Sequence, residues 1–186
     1  MQPKLLLLAA LASGTADAAS ADLLKGLISD GVFRQVRLVP ADRLLRGERG
    51  YELLPGQFGG DWSVVLGGPG TSVSTVRFTF TGGKKALDTG GVTVGKLLGR
   101  MTGRAAASCF NVGVERLPGL KSWMETAVKT AQDTTQERSF GPLKVHLLIN
   151  RTDGDPASPD GLTEVDVLLG RKGTPGNVPW IGTCTK

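Results

Sequence analysis

A chain of 186 residues with 40% hydrophobic and 21% charged side chains has enough apolar material for a packed core and lacks the bias of a disordered or fibrous protein. Its 27 glycines, roughly double the usual share, argue for turns and strands and against a helical bundle. The net charge of +5 is a mild basic excess: it suits ordinary solubility first, and anionic partners such as envelope polymers, lipid headgroups or nucleic acid second.

Met1 to Ala18 has the layout of a secretory signal peptide. Lys4 supplies the positive start, Leu5 to Ala12 an apolar run, and Ala16-Asp17-Ala18 the small residues at −3 and −1. That run is too short to span a bilayer, which takes about 20 residues. Cleavage is expected near Ala18, leaving residues 19–186 as a single α+β domain that is secreted or periplasmic. Losing Lys4 and Asp17 together keeps the charge at +5.

Ser20 is placed to cap a short helix in which Leu23, Leu24, Leu27 and Ile28 recur at helical spacing and Gly31 forms the stop. Val32 to Pro40 reads as a strand, with Val32, Val36 and Leu38 on one face and Gln35 and Arg37 on the other. Residues 41–61 carry so many glycines and charges that a loop with a helical turn is expected. Trp62 to Leu66 and Ser74 to Thr81 then flank Gly67-Gly68-Pro69-Gly70, a hairpin signal. In the second strand Val76, Phe78 and Phe80 alternate with Arg77, Thr79 and Thr81, the pattern of a sheet with one wet face.

Val94, Leu97, Leu98 and Met101 suggest a short helix weakened by Gly95 and Gly99, at about 1 kcal/mol each. Cys109 to Val114 is read as a short strand. Leu120, Trp123, Met124, Ala127, Val128 and Ala131 form the clearest helical stripe in the chain, with Lys121, Glu125 and Lys129 on its wet side. Two last strands, Pro142 to Asn150 and Leu162 to Gly170, alternate apolar and polar residues, and their pairing would put His146 on the exposed face beside opposite charges. The order of elements favours α+β architecture: a mainly antiparallel sheet of five to six strands with two to three helices packed on one face.

Cys109 and Cys184 lie 75 residues apart and are the only cysteines. In an oxidising compartment they are expected to form a disulfide, stabilising by roughly 4 kcal/mol through the unfolded chain. The catalytic alternative makes Cys109 a nucleophile assisted by His146, the single histidine, as in an extracellular hydrolase.

Other motifs are weaker. Asp153, Asp155 and Glu164 match positions one, three and twelve of a calcium loop, but Ala157 and Ser158 stand where a ligand and a glycine are required, so loop 150–161 reads as a hairpin connection. Arg34, Arg37, Arg43, Arg46 and Arg49 form a series that could grip anionic groups, diluted by Asp42, Glu48 and Glu52, with only Phe33 and Tyr51 nearby to stack bases. No specific nucleic-acid signal results. Nucleophile-elbow, zinc-protease, phosphate-loop and dinucleotide motifs are missing from the sequence, so no cofactor or metal is implied.

The expectation is a non-catalytic binding or interaction domain for a protein, an envelope polymer or a small apolar ligand. An extracellular hydrolase using Cys109 and His146 or a carboxylate pair, and a structural cell-envelope component, are the competing classes. Trp62, Phe78, Phe80 and Trp123 discriminate within the first: a pocket lined by them would favour ligand carriage, a solid core would favour protein contact.

Overall fold

The computed structural model describes residues 23–29, 31, 33–55, 60–70, 72–130, 134–152, 161–172 and 184. The signal-peptide segment and Asp153 to Asp160 of the Asp-rich loop lie outside them. Among the described residues, three α-helices accompany one seven-stranded antiparallel sheet, so the architecture is α+β as expected, with one more strand than the upper end of the expected range.

The first helix, α1 (Leu23–Ser29), buries Leu23 and Leu27 and stops at Gly31, whose positive φ of 71° lets its N–H turn back onto the Ile28 carbonyl at 3.0 Å. Strand β1 (Phe33–Leu38) follows, its pairing with the next strand irregular between Phe33 and Gln35. This bulge turns Phe33 into the core, where its ring meets Trp62 edge-on at 5.9 Å.

The segment expected to be loop holds strand β2 (Arg49–Pro55) after a 3-10 turn at Ala41–Arg43. Its period-two signal is only Tyr51 and Leu53, blurred by the adjacent Leu54, and its pairing with β1 on one side and β3 (Asp61–Gly67) on the other supplies what propensity lacks. Strand β4 (Thr75–Gly83) completes the expected hairpin with β3.

A second correction concerns residues 84–110. They form one long helix, α2 (Lys84–Phe110), which absorbs Cys109 and Phe110 from the segment read as a strand. Asn111 closes it in the left-handed conformation (φ 51°), and the Val112 N–H reaches the Ala106 carbonyl at 3.0 Å.

The glycines that weaken this helix locally let it pack. Gly95, Gly99 and Gly103 recur every fourth residue and face α3 (Leu117–Thr130), whose backbone comes so near that a Cβ on Gly95 would stand 3.1 Å from Glu125 Cα. We expect Gly95→Leu to destabilise the protein in a denaturant titration: overpacking costs about 1–3 kcal/mol, against about 0.8 kcal/mol gained in helix propensity.

After α3 come β5 (Thr134–Phe140), β6 (Leu143–Thr152) and β7 (Leu162–Arg171). The sheet order β1-β2-β3-β4-β7-β6-β5 makes two meanders, joined where β7 lies against β4. Strand β5 left no trace in the apolar pattern because six of its seven residues are polar or charged and it sits at the sheet edge, pairing only with β6.

The alternating residues Val76, Phe78 and Phe80 of β4, Val165, Val167 and Leu169 of β7, and Leu143 to Ile149 of β6 are completely buried beneath the helices. Trp62, Phe78 and Phe80 belong to this packed core, while Trp123 is half-buried with its ring 5.8 Å from Phe140. The disulfide joins Cys109 to Cys184, both buried, with Cα atoms 4.7 Å apart. Arg171 lies over Phe110, 5.8 Å from the ring centroid, and donates from Nη2 to the Cys109 carbonyl at 3.3 Å, placing a cation at the C-terminal end of α2. Burial lowers the pKa of that guanidinium from its ordinary value.

Candidate functional site

Since side chains alternate along a strand, filling one sheet face with core residues commits the intervening ones to the other. The helices occupy the first face only, and among the described residues no element covers the second. Strand pairing aligns one cross-strand row through all seven strands: Arg37, Glu52, Ser63, Thr79, Asp166, Leu148 and Thr135. A parallel row carries Val65, Arg77, Leu168, His146 and Glu137.

Polar groups on this face hold one another in place. The Thr79 hydroxyl donates to Asp166 Oδ1 at 2.6 Å. Arg37 donates from Nε to Glu52 Oε2 at 2.7 Å and also from Nη2. Glu137 accepts from Lys144 Nζ at 2.9 Å and faces His146 Nδ1 at 3.3 Å. The hydrogen bond from Lys144 is the main cause holding the Glu137 carboxyl below its ordinary range, with the positive charge of Lys144 and the field of His146 acting in the same direction.

Between the polar groups lie apolar ones. Leu168 is 40% exposed and sits diagonally from Leu148, close enough for the two side chains to meet. Leu54 and Leu162 are exposed on the same face. At the β1–β4 end the twisted sheet forms a shallow concavity of about 450 Å3 with polar walls, Arg37, Glu52, Asp61, Ser63, Thr79 and Thr81, and apolar lining from Val39, Leu53, Leu54 and Trp62. None of the described outward positions on the strands is aromatic, and Trp62, which lines the concavity, is only 2% exposed, so the described face presents no open ring on which a sugar or base could stack. Its described charged residues are Arg37, Arg77 and Lys144 against Glu52, Asp61, Glu137, Glu164 and Asp166, a slight acidic excess.

The residues singled out from sequence distribute differently. Cys109 is sealed in its disulfide on the helix side, whereas His146 is on the open face beside Glu137, so the sheet separates the two members of the supposed catalytic pair. His146 is beside an opposite charge as expected, but that charge is Glu137 of β5, a strand the sequence did not reveal, while its partner on β7 is Leu168. In the arginine series, Arg37 is on the open face in its pair with Glu52, and Arg43 and Arg46 are exposed between β1 and β2. By strand alternation Arg49 belongs to the opposite face, with Tyr51 and Leu53; the Arg34 side chain lies outside the described set. The structure therefore does not gather the described members of the series on one surface.

Sequence reading did not nominate Leu148, Asp166 or Leu168 as a surface. Their signal was present as the off-beat positions of the two final strands, but a binding face emerges only when β7 is known to pair with β4. Among the described residues no helix is long and apolar enough to cross a membrane. Comparison with protein-family models, curated proteins and solved structures returned no match.

Proposed function

We propose that this chain is an exported, disulfide-closed, non-catalytic binding domain that engages a protein partner through the open face of its sheet. The observation that carries this reading is the combination of a filled helix-side core with a mixed polar and apolar face, running through seven strands, that no described element covers. Strands spaced about 4.8 Å apart give that face a width of about 29 Å. With strand lengths near 24 Å its area is roughly 700 Å2, close to the about 800 Å2 each partner contributes to a standard interface. Leu148 and Leu168 would supply the desolvated patch, and the Thr, Ser and charged side chains around them the polar surround. Export is supported by the leader-like residues 1–18 and by a cysteine pair that suits an oxidising compartment.

Photo-crosslinking tests the surface whatever the identity of the partner. A photoreactive side chain in place of Leu168, in the exported protein in its native cells, should give a discrete protein adduct; the same group at exposed Leu45 should not. Adducts from position 45 and none from 168 would sink the proposal.

A further inference from the structure

The overall charge of +5 is unevenly placed. Residues 84–130, which form α2, α3 and their turn, contain eight basic and three acidic residues, a net of +5 equal to that of the whole chain, so the remainder is neutral. The apolar faces of both helices are spent on the sheet, through Val94, Leu97, Leu98 and Met101 on α2 and Leu120, Met124 and Val128 on α3. What the hairpin turns outward is basic. Lys96, Arg100 and Arg104 follow one another at every fourth residue of α2, so their Cα atoms rise about 6 Å per step along the helix.

Lys121 of α3 joins them through the glycine stripe. Gly103 has no side chain, and the Lys121 stem crosses it with Cε 2.9 Å from where a Cβ would stand. The result is a groove of about 330 Å3 between the helices, lined by Arg100, Arg104 and Lys121 with the Ser108 hydroxyl at one end. Glu125 is the acidic side chain of the described α2–α3 segment on this side, one turn from Lys121. Arg100 and Arg104 engage other groups of the chain as well, so it is the summed field that attracts a ligand.

We infer that this groove and the basic stripe beside it bind a linear phosphate polymer, gripped by its backbone charges. Guanidinium forks pair with phosphate oxygens two at a time, and a row of cations suits a chain that repeats its charge. Two alternatives fit less well. A membrane surface would call for an apolar face to insert, yet the described side chains of both helices bury theirs, and Val114 at the turn is the one large apolar side chain exposed among residues 93–130. Readout of nucleobases would call for exposed rings, yet Phe110 is buried and Trp123 packs on Phe140.

The test uses the mature protein, fluorescent inorganic polyphosphate and a fluorescent oligothymidylate, with binding followed by anisotropy between 50 and 200 mM NaCl. The triple variant Lys96→Gln/Arg100→Gln/Lys121→Gln, all at exposed positions, should bind at least about tenfold more weakly at low salt, and its log–log salt slope should flatten by about 1 for each residue that contacts a phosphate. Arg43→Gln/Arg46→Gln/Lys172→Gln removes the same charge elsewhere and should stay within about twofold of the parent. Binding of either probe with this difference between variants supports the inference, and the preferred probe tells a free phosphate chain from a phosphodiester backbone. Equal losses in the two variants, binding of neither probe, or binding only to vesicles of anionic lipid would each overturn it. Thermal unfolding of both variants verifies that the fold is retained, and Gly103→Ala, which displaces the Lys121 stem while keeping every charge, should weaken binding on its own.

Discussion

Replacing Cys109 and Cys184 together by alanine lowers the unfolding free energy by about 4 kcal/mol, seen as a fall of about 2 M in the urea midpoint. The size follows from the 75-residue separation, since releasing a long loop returns much conformational freedom to the unfolded chain. Location adds to the effect. Both residues are buried, and Cys109 is in the last turn of α2, where Arg171 binds its carbonyl and Asn111 reverses the backbone. Losing the bond therefore frees the end of the helix that carries the largest share of the core's cover. A loss below about 1 kcal/mol would mean that the unfolded chain is already restrained near these positions. The intact protein should also show no thiol reactive towards titrant until it is reduced.

Truncating Phe78 to alanine should cost about 3–5 kcal/mol in equilibrium unfolding, the usual penalty for deleting a buried aromatic ring. Phe78 is fully buried, paired in register with Val64 of β3 and Val167 of β7, and so placed under the helices at the middle of the sheet. Its neighbour gives the contrast. Thr79→Ala removes one hydroxyl, the donor to Asp166 on the open face, and should cost about 1 kcal/mol while leaving the core intact. A cost for Thr79→Ala equal to that for Phe78→Ala would contradict the assignment of the two faces.

That period-two contrast is the part of the fold most legible in the sequence. Through 76–80 of β4, 143–149 of β6 and 165–169 of β7 every second residue is apolar and buried, so the strands, their faces and the position of His146 could be read from one pattern. Strand β2 could not, because Leu53 and Leu54 are both apolar and erase the alternation, and β5 could not, because an edge strand with polar side chains has no apolar signal to give. The length of α2 was hidden for a different reason. Glycine lowers helix propensity whatever the context, and only the approach of Glu125 and Lys121 shows why Gly95, Gly99 and Gly103 are there. The candidate surfaces were least legible of all. The arginine series is dense in sequence and spreads out in space, whereas Arg100, Arg104 and Lys121 come from two helices and share one groove.

The seam between β4 and β7 bears on the order in which the molecule can assemble. Within each meander the strands meet partners that follow closely along the chain, but Thr79 and Asp166, bonded across the seam, are 87 residues apart. Contacts at that distance form late, because the entropy of closing the intervening loop is lost before they stabilise anything. The first meander must therefore wait with an unpaired edge on β4 until β7 has appeared, and Cys184, the partner of Cys109, comes later still. In this protein the closing strand and the covalent lock both come long after the first meander, so a chain interrupted before β7 would keep its first hairpins and lose the surface that they help to build.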